Sequence, residues 1–296
     1  MRILIEASGS MVSGYLIKAI KESGHTSVAS DINKENHAIC LADEFIVFPY
    51  SNHPNLWKII EDKLIKFKID IVIPSFDETL LGWAERKEYF KQKGIYILIS
   101  NKNSLNIFLD KYTAFKFCTT YNIPTPQTSL NQDFSLIKPR FGRGGSGIYI
   151  GNEIQDMNEM ISQEFIDGLE YTVDCLFNKD SKPVYIIPRI RMDIKDGKST
   201  KGIVVKHDLI VKYVKQISKE VELIGPINFQ FMEKNDKSLY FLEVNPRIAG
   251  GMALGIKASE NWIDLIVQNF IENKNIEPKE INYGLKMMRY YAECFI

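Results

Sequence analysis

Hydrophobic and polar positions follow a regular order of strand-like and helix-like segments over the first hundred residues. A short apolar run at 2–7 is followed by a segment at 15–24 with apolar residues at helical spacing, which ends at Gly24, a common helix-terminating residue. Strands separated by helices usually pair in parallel, so the pattern predicts an α/β domain with a parallel, doubly wound sheet over residues 1–100. Its further strands are predicted at 26–31, 44–50, 70–75 and 94–100, with helices at 55–68 and from about Glu78.

The pattern changes after Asn101, where strands dominate. A helix-period segment at 104–122 leads to an extended link at 123–126. Strands are then predicted at 135–140, 147–151, 170–177, 183–194, 228–233 and 238–245, with helices at about 153–160, 207–223 and 259–272. This order is typical of an α+β fold. We therefore predict three units: an N-terminal α/β domain at 1–100, a small lid at 101–168 and a C-terminal α+β subdomain at 169–296.

Composition narrows the class of protein without indicating a function. Of 296 residues, 45% are hydrophobic and 25% charged, which supplies a core and argues against disorder. Basic and acidic residues each total 37, so no long-range attraction for nucleic acid or an anionic membrane is expected. No apolar run approaches the roughly 20 residues of a membrane helix, and no signal-peptide pattern opens the chain. The four cysteines are scattered, which favours reduced thiols and a cytoplasmic location.

A glycine cluster lies between two predicted strands: Gly142, Gly144, Gly145 and Gly147. Glycine costs about 0.5–1 kcal/mol relative to alanine in ordered backbone, so the cluster indicates close approach to a ligand or a moving lid. Lys138 ends the preceding strand, and Arg140 and Arg143 flank the loop. Backbone amides with fixed cations form a phosphate cradle. The alternative is a solvated glycine-rich hairpin turn.

A second motif is the predicted hairpin of 228–231 and 240–247. Strand alternation places Asn228 and Gln230 on one face, and the turn brings Glu243 and Asn245 to that same face. By the same alternation Phe241 belongs to it too. Grouped oxygen donors suit a hard cation such as magnesium. The alternative is an ordinary half-exposed hairpin with a polar outer face.

A third motif, at 163–176, interrupts a strand with Asp167 and Gly168 and resumes at Glu170. Exposed backbone in such a linker can bind an adenine edge, and an acid just after it can hold a ribose. Any hairpin offers the same groups, so the motif alone is weak.

Together and in this order, DKYTAF, SLIKP, the glycine loop, QEFIDGLEYTVD, GPINFQF and FLEVNPR resemble the ATP-grasp superfamily, in particular its carbamoyl-phosphate-synthase-like branch. The resemblance covers about residues 100–255, and the segment before it looks like that family's N-terminal domain. It implies an ATP-dependent ligase that phosphorylates a carboxylate and joins the acyl phosphate to an amine. Magnesium would be required, with manganese as an alternative ion.

The resemblance also implies roles for particular residues. The nucleotide contacts would be Lys111, Lys138, Gly142, Arg143, Gly144, Gly145, Ser146, Gly147, Gln163, Glu164, Phe165, Ile166 and Glu170. The magnesium ligands would be Gln230, Glu243 and Asn245. Arg247 would steady the transferred phosphoryl group, while Arg189, Arg191 and Lys201 would contact phosphate or substrate. Family analogy favours small-molecule carboxylate and amine substrates and a homodimer.

One departure changes the expected product. Carbamoyl phosphate synthase large chains carry two grasp units, and this chain has room for one. It looks more like the single-unit amino-acid ligases, including the ligase of pyrrolysine biosynthesis. We therefore expect an amide or peptide product and no carbamoyl phosphate.

The N-terminal loop at 8–14 supports a rival hypothesis. Together with Asp31, about twenty residues further on, this loop suggests dinucleotide binding and an NAD-dependent oxidoreductase. The loop is, however, one glycine short of GxGxxG. In the ligase hypothesis Ser10, Ser75, Asp77 and Glu78 line a substrate site, although the last two could simply complement a helix dipole. A catalytically idle nucleotide-binding sensor on the same fold is a third possibility.

Overall fold

The computed structural model describes residues 1–10, 13–195, 198–290 and 292–295, so residues 11 and 12 of the predicted loop at 8–14 lie outside it. The N-terminal strands are β1 (Arg2–Ile5), β2 (Thr26–Asp31), β3 (Glu44–Val47), β4 (Ile71–Ile73) and β5 (Tyr96–Ile97). They pair in parallel in the order β3-β2-β1-β4-β5. The predicted parallel sheet is confirmed.

Helices cover both faces of this sheet, as a doubly wound fold requires. They are α1 (Ser13–Glu22), α2 (Ala38–Leu41), α3 (Leu56–Lys66) and α4 (Asp77–Gln92). Ile3 and Ile5 pack in one apolar cluster with Leu16 of α1, while Leu4 packs on the opposite side in a cluster with Ile60 of α3. Because consecutive β1 side chains enter opposite cores, the strand reads as a continuous apolar run.

The helix predicted at 104–122 is two helices, α5 (Lys102–Leu109) and α6 (Lys111–Thr120). The break occurs at Asp110, whose carboxylate accepts hydrogen bonds from the backbone N–H groups of Tyr112 and Thr113 and so caps α6. Arg140 donates to both oxygens of the same carboxylate. Asp110 therefore starts α6 and also anchors Arg140, which lies just before the glycine loop.

A small antiparallel sheet carries the glycine loop. Its strands are β6 (Thr128–Ser129), β7 (Leu136–Pro139), β8 (Tyr149–Ile150) and β9 (Met160–Gln163), in the order β6-β9-β7-β8. The loop joins β7 to β8, as predicted. The helix predicted at about 153–160 is wrong, since this segment is irregular and held by turns such as the bond from the Asn158 N–H to the Asp156 carboxylate.

The third sheet has six antiparallel strands in the order β14-β13-β10-β11-β12-β15. These are β10 (Leu169–Phe177), β11 (Pro183–Lys195), β12 (Lys198–Val204), β13 (Gly225–Glu233), β14 (Leu239–Asn245) and β15 (Lys286–Met288). The helical segments are α7 (Asp208–Glu220), α8 (Ala253–Ala258), α9 (Trp262–Ile266) and a π-helical turn, Val267–Ile271. Strands β12 and β15 were not among the predicted strands.

One face of the third sheet is a hydrophobic core and the other carries polar side chains. Val173, Phe229 and Phe231 pack with Phe117 of α6 and Val214 of α7. The residues that alternate with them therefore point away from this core, towards the glycine loop. The predicted fold class, a parallel α/β domain followed by an α+β fold, is confirmed. No helix in the described ranges has both the length and the apolar character needed to cross a membrane.

Candidate active site

Four polar residues face one another across β13 and β14. Gln230 lies opposite Glu243, and Asn228 lies opposite Asn245. Within β14 the Asn245 amide donates to a Glu243 carboxylate oxygen at 3.3 Å. The predicted convergence of these four residues on one face is therefore present.

Phe241 does not share that face, contrary to the prediction. A bulge at Leu242 shifts the register, so Gln230 pairs with Glu243 but the next residue, Phe231, pairs with Phe241. An extra residue in one strand reverses the facing of what lies beyond it. Phe241 therefore enters the hydrophobic core, and the face that carries Glu243 is more polar than strand alternation indicated.

Asn228 is engaged elsewhere, in a buried ion pair. Its amide donates to Asp174 at 2.9 Å, and the Arg189 Nε donates to the other oxygen of that carboxylate at 2.8 Å. All three side chains are buried, and Arg189 Nη1 has no hydrogen-bond partner among the described residues. Gly251 lies against the guanidinium so closely that a Cβ would be 2.1 Å from Nη2. Arg189 thus lies on the same side of the sheet as Gln230 and is held there by Asp174.

Two lysines fix the base of the glycine loop. The Lys138 ammonium donates to Gln163 Oε1 at 2.8 Å, and the Lys111 ammonium donates to the Gly142 carbonyl at 2.8 Å. Burial lowers the pKa of Lys138 to about 8; Lys111 adds to the lowering and Glu243 opposes it. Burial disfavours the charged form of Lys138, and an anion bound beside it would stabilise that form. The surroundings of Lys138 therefore favour phosphate.

A cavity of 330 Å³, here called the phosphate-loop cavity, gathers most of the residues predicted to bind nucleotide and metal. Its lining includes Lys111, Lys138, Gly142, Arg143, Gly144, Gly145, Ser146, Gln163, Glu164, Phe165, Ile166, Glu170, Gln230 and Glu243. Gly147 lies behind it, where a Cβ would come within 2.9 Å of Pro139. Residues predicted from four separate motifs therefore meet at one place.

One end of this cavity suits an aromatic base. Within the described residues the backbone N–H groups of Phe165 and Ile166 have no protein acceptor. Met232 and Leu242 add apolar surface that the sequence did not indicate. Leu242 reaches the cavity because it is the bulged residue of β14, and no local sequence signal marks a bulge.

An ion-pair cluster connects the N-terminal domain with the glycine loop and with the loop after β14. Asp77, the first residue of α4, accepts hydrogen bonds from the Arg247 guanidinium, and its neighbour Glu78 accepts one from Arg143 at 2.5 Å. Arg143 also stacks on Phe76, 4.6 Å from the ring centre. The cluster faces a second cavity, of 430 Å³, that includes Glu243 and Asn245. Asp77 and Glu78 thus start a helix and also bind cations.

The remaining predicted residues lie at the margins. Ser10 and Ser75 line a crevice on the N-terminal domain together with Arg143. Arg191 borders the phosphate-loop cavity, where its Nη1 donates to Glu170 at 2.6 Å. Lys201 is an exposed residue of β12, opposite Met192 and Met288. Lys201 is therefore the predicted residue set farthest from the polar face along the sheet.

The donors on the polar face fit a magnesium ion that also binds nucleotide phosphates. The described residues contain no cluster of three histidine, cysteine, aspartate or glutamate side chains. Magnesium is usually bound through one or two carboxylates with waters and substrate phosphates. Glu243 supplies the carboxylate, Gln230 lies opposite it in the neighbouring strand, and the Asn245 oxygen accepts a hydrogen bond from Arg247 at 3.2 Å.

Comparisons with known proteins agree with this geometry. Residues 156–292 match the family model described as ATP-grasp in the biosynthetic pathway with Ter operon. Residues 3–98 match the model described as PylC-like, N-terminal domain. The resemblance to the ATP-grasp superfamily is confirmed: the C-terminal part of the chain matches an ATP-grasp model, and the N-terminal part matches a PylC-like N-terminal domain.

Curated relatives point to the predicted branch. The carbamoyl phosphate synthase large chain of Clostridium acetobutylicum is 23% identical, over 92% of this chain and 28% of that one. The corresponding protein of a Thermoanaerobacter species is 25% identical over 57% of this chain and 19% of that one. The chain thus spans less than a third of the relatives that it matches.

Solved structures share the fold over nearly the whole chain. N5-carboxyaminoimidazole synthetase of Staphylococcus aureus, complexed with ADP, has a TM-score of 0.76 at 15% identity and covers 98% of this chain and 82% of its own. The L-amino acid ligase of Bacillus licheniformis has a TM-score of 0.69 at 16% identity, covering 94% and 75%. The biotin carboxylase domain of the Hydrogenobacter thermophilus 2-oxoglutarate carboxylase, complexed with MgADP and bicarbonate, has a TM-score of 0.74 at 16% identity, covering 96% and 73%. At such identities the likeness concerns the fold.

Proposed function

We propose that the protein is an ATP-dependent carboxylate–amine ligase that joins small molecules, such as amino acids, through an acyl phosphate. The observation that carries the proposal is the meeting of Lys138, the glycine loop, Gln230 and Glu243 around one cavity. Phosphoryl transfer depends mainly on positioning and charge neutralisation, and these residues supply both.

In this proposal ATP occupies the phosphate-loop cavity. The unused N–H groups of Phe165 and Ile166 bind the adenine edge, with Met232 and Leu242 against its ring. Glu170, now paired with Arg191, turns to the ribose. Lys111, Lys138 and the loop amides surround the phosphates.

Gln230, Glu243 and Asn245 would hold magnesium, with manganese as an alternative. Bound there, the ion would neutralise phosphate charge and align the terminal phosphoryl group. Arg247 lies at the end of β14, and Asp77 fixes its guanidinium so that it can steady the transferred group. Closure of the glycine loop, residues 142–147, would exclude water from the reactive intermediate.

The two chemical steps balance without a further co-reactant. A carboxylate oxygen attacks the γ-phosphorus of ATP, and ADP leaves, which gives an acyl phosphate. The amine nitrogen then attacks the acyl carbon, and the carbon–oxygen bond to phosphate breaks. Inorganic phosphate departs, and the nitrogen loses a proton to give the amide. Ser10, Ser75, Arg189, Arg191 and Lys201 are proposed substrate or phosphate contacts, and a homodimer remains a prediction.

The decisive experiment measures phosphate release from Mg-ATP in the presence of the amino acids, singly and in pairs, and determines product masses. We expect ADP formation that needs two amino compounds, with a product mass equal to their sum minus water. Glu243→Gln, which keeps the side-chain shape, should abolish turnover with the fold intact. Absence of ATP binding would contradict the proposal. Tight Mg-ATP binding without turnover for any pair would favour the idle sensor.

A further inference from the structure

The N-terminal sheet has a crevice that the nucleotide site does not use. In the order β3-β2-β1-β4-β5, β2 pairs with one edge of β1 and β4 pairs with its other edge. In open α/β sheets, ligands bind outside the carboxyl ends of strands at such a switch point. The residues at these ends are Glu6 and Ala7 after β1, and Ser75 and Phe76 after β4.

Two adjoining cavities occupy this place, and together they are called the switch-point crevice. One is an inner cavity of 130 Å³ and the other an outer cavity of 470 Å³, and both are lined by Ala7, Asp31 and Phe76. Phe48 and Ile60 add an apolar wall to the inner cavity. It has room for about four water-sized groups, which matches a short apolar chain.

The mouth of the crevice carries uncompensated negative charge. Asp31 and Glu35 line it, and neither forms an ion pair within the described part of the chain. Arg143 also lines it, but its charge is matched by Glu78. A carboxylate ligand would therefore meet repulsion here, and an ammonium ligand attraction.

Asp31 is held ready to accept further hydrogen bonds. The Gly9 N–H donates to one carboxylate oxygen at 2.7 Å, and the Asn33 N–H donates to the other at 3.0 Å. Each oxygen keeps a second lone pair. Glu6, by contrast, accepts four bonds, from two backbone N–H groups and from Thr79 and Trp83, so it completes the wall.

The crevice opens beside the proposed reaction centre. Arg143 borders both the outer cavity and the phosphate-loop cavity, so a ligand in one lies next to the glycine loop of the other. An acceptor amine must approach an acyl phosphate from outside the nucleotide site. Through Arg143 the crevice adjoins the nucleotide site from outside.

We propose that the switch-point crevice binds the acceptor substrate, a primary amine that carries a short apolar group, with its ammonium on Asp31 and its apolar group in the inner cavity. This assignment rests on the proposed ligase function, because the acceptor is the amine substrate of that reaction. The amine would bind protonated and give its proton to solvent water before it attacks.

The test is a binding experiment on the full chain labelled at isoleucine methyl groups. Butylammonium, butanol and butyrate are titrated as probes of one chain length. We expect butylammonium to shift the methyl signals of Ile32 and Ile60 saturably, butanol to do so at least tenfold more weakly, and butyrate not at all. Asp31→Asn should abolish the preference for butylammonium over butanol, while Asp62→Asn on the surface of α3 should not.

Three results would overturn the assignment: no shift with butylammonium, equal or tighter binding of butyrate, or an unchanged preference in Asp31→Asn. Shifts produced by NAD and not by butylammonium would instead favour a dinucleotide site and also reject it. Because binding is measured without turnover, its outcome is separate from that of the ligase assay. Ammonium binding without ADP formation would contradict the ligase and leave an amine site.

Discussion

The Asp77 carboxylate binds the Arg247 guanidinium through both of its oxygens, one contact being 3.2 Å from Nη2 to Oδ2. The two residues are 170 positions apart in sequence and belong to the N-terminal domain and to the loop after β14. Both side chains are largely enclosed. The N-terminal domain therefore sets the orientation of a residue at the proposed phosphoryl-transfer site.

Replacement of Asp77 by Asn should disturb that orientation without unfolding the protein. The neutral amide keeps a hydrogen-bond acceptor but loses the charge that holds Arg247, so we expect kcat to fall about tenfold or more. The KM for ATP should change less, because Asp77 lies outside the phosphate-loop cavity. Steady-state phosphate release gives both constants. Glu85→Gln is the matched control on the same helix, where it removes an exposed pair with Lys102, and an equal loss of kcat there would contradict a specific role for Asp77.

The lowered pKa of Lys138 predicts a pH dependence. With a pKa of about 8 in the free protein, Lys138 loses its proton as the pH rises through that value, and its attraction for phosphate is lost. The value of kcat/KM for ATP, which reports the free enzyme, should therefore fall above about pH 8. Lys138→Arg keeps the charge, so its profile should lack this fall. The same decline in both proteins would assign the titration to another group.

The same shift has a consequence for stability with a defined sign. Between about pH 8 and the ordinary lysine pKa, the unfolded chain binds more protons than the folded one at this position. The contribution of Lys138 to the free energy of unfolding therefore rises with pH over that window. Denaturant unfolding of the native protein and Lys138→Met, compared at pH 7 and pH 10, should show that rise in the native protein alone. A parallel pH dependence in both would contradict it.

Asp174 should be important for stability. Its carboxylate is fully buried between Arg189 and Asn228, so Asp174→Ala leaves a buried guanidinium without its counter-charge. Breaking such a pair costs about 3–5 kcal/mol of unfolding free energy. Asp62→Ala removes an exposed pair with Lys58 and should leave the free energy of unfolding nearly unchanged. Urea titrations measure both, and similar losses would contradict the buried-pair assignment.

Gly168 belongs to the linker that is predicted to bind adenine, and its lack of a side chain lets this linker lie close to β13. A Cβ at this position would be 2.2 Å from the Glu233 carbonyl oxygen, so Gly168→Ala must displace the linker. We expect at least tenfold weaker ATP binding and a loss of about 1–3 kcal/mol in stability. Gly14→Ala is the control, because its nearest neighbour is 4.0 Å away and alanine favours the helix. Unchanged ATP affinity in Gly168→Ala would separate the linker from the nucleotide site.

Local patterns predicted most of the fold and the polar face of the site. Apolar residues recur at the positions that are buried, so their spacing predicted the strands and helices of the parallel sheet. The same alternation predicted that Gln230 and Glu243 share a face. The glycine loop was evident because few other residues tolerate its backbone: Gly142, Gly144, Gly145 and Gly147 all have positive φ.

The features that the sequence could not predict depend on contacts between distant segments. The bulge at Leu242 has no local signal, yet it reverses the facing of Phe241 and brings Leu242 to the cavity. The start of α6 depends on Asp110, which also binds Arg140, the residue just after β7. The pairing of Asp77 with Arg247 likewise follows only from the tertiary fold. The short strand β15 forms because a neighbouring strand offers unpaired backbone groups.

The central claim is that ATP phosphorylates a carboxylate, which an amine then attacks. It is tested most directly with a donor whose carboxylate oxygens are ¹⁸O, combined with Mg-ATP and the amine that gives a condensed product. The acyl-phosphate route transfers one donor oxygen to phosphorus, so mass spectrometry should find one ¹⁸O in each inorganic phosphate released. Appearance of the label in AMP, or release of unlabelled phosphate during product formation, would contradict the proposed mechanism.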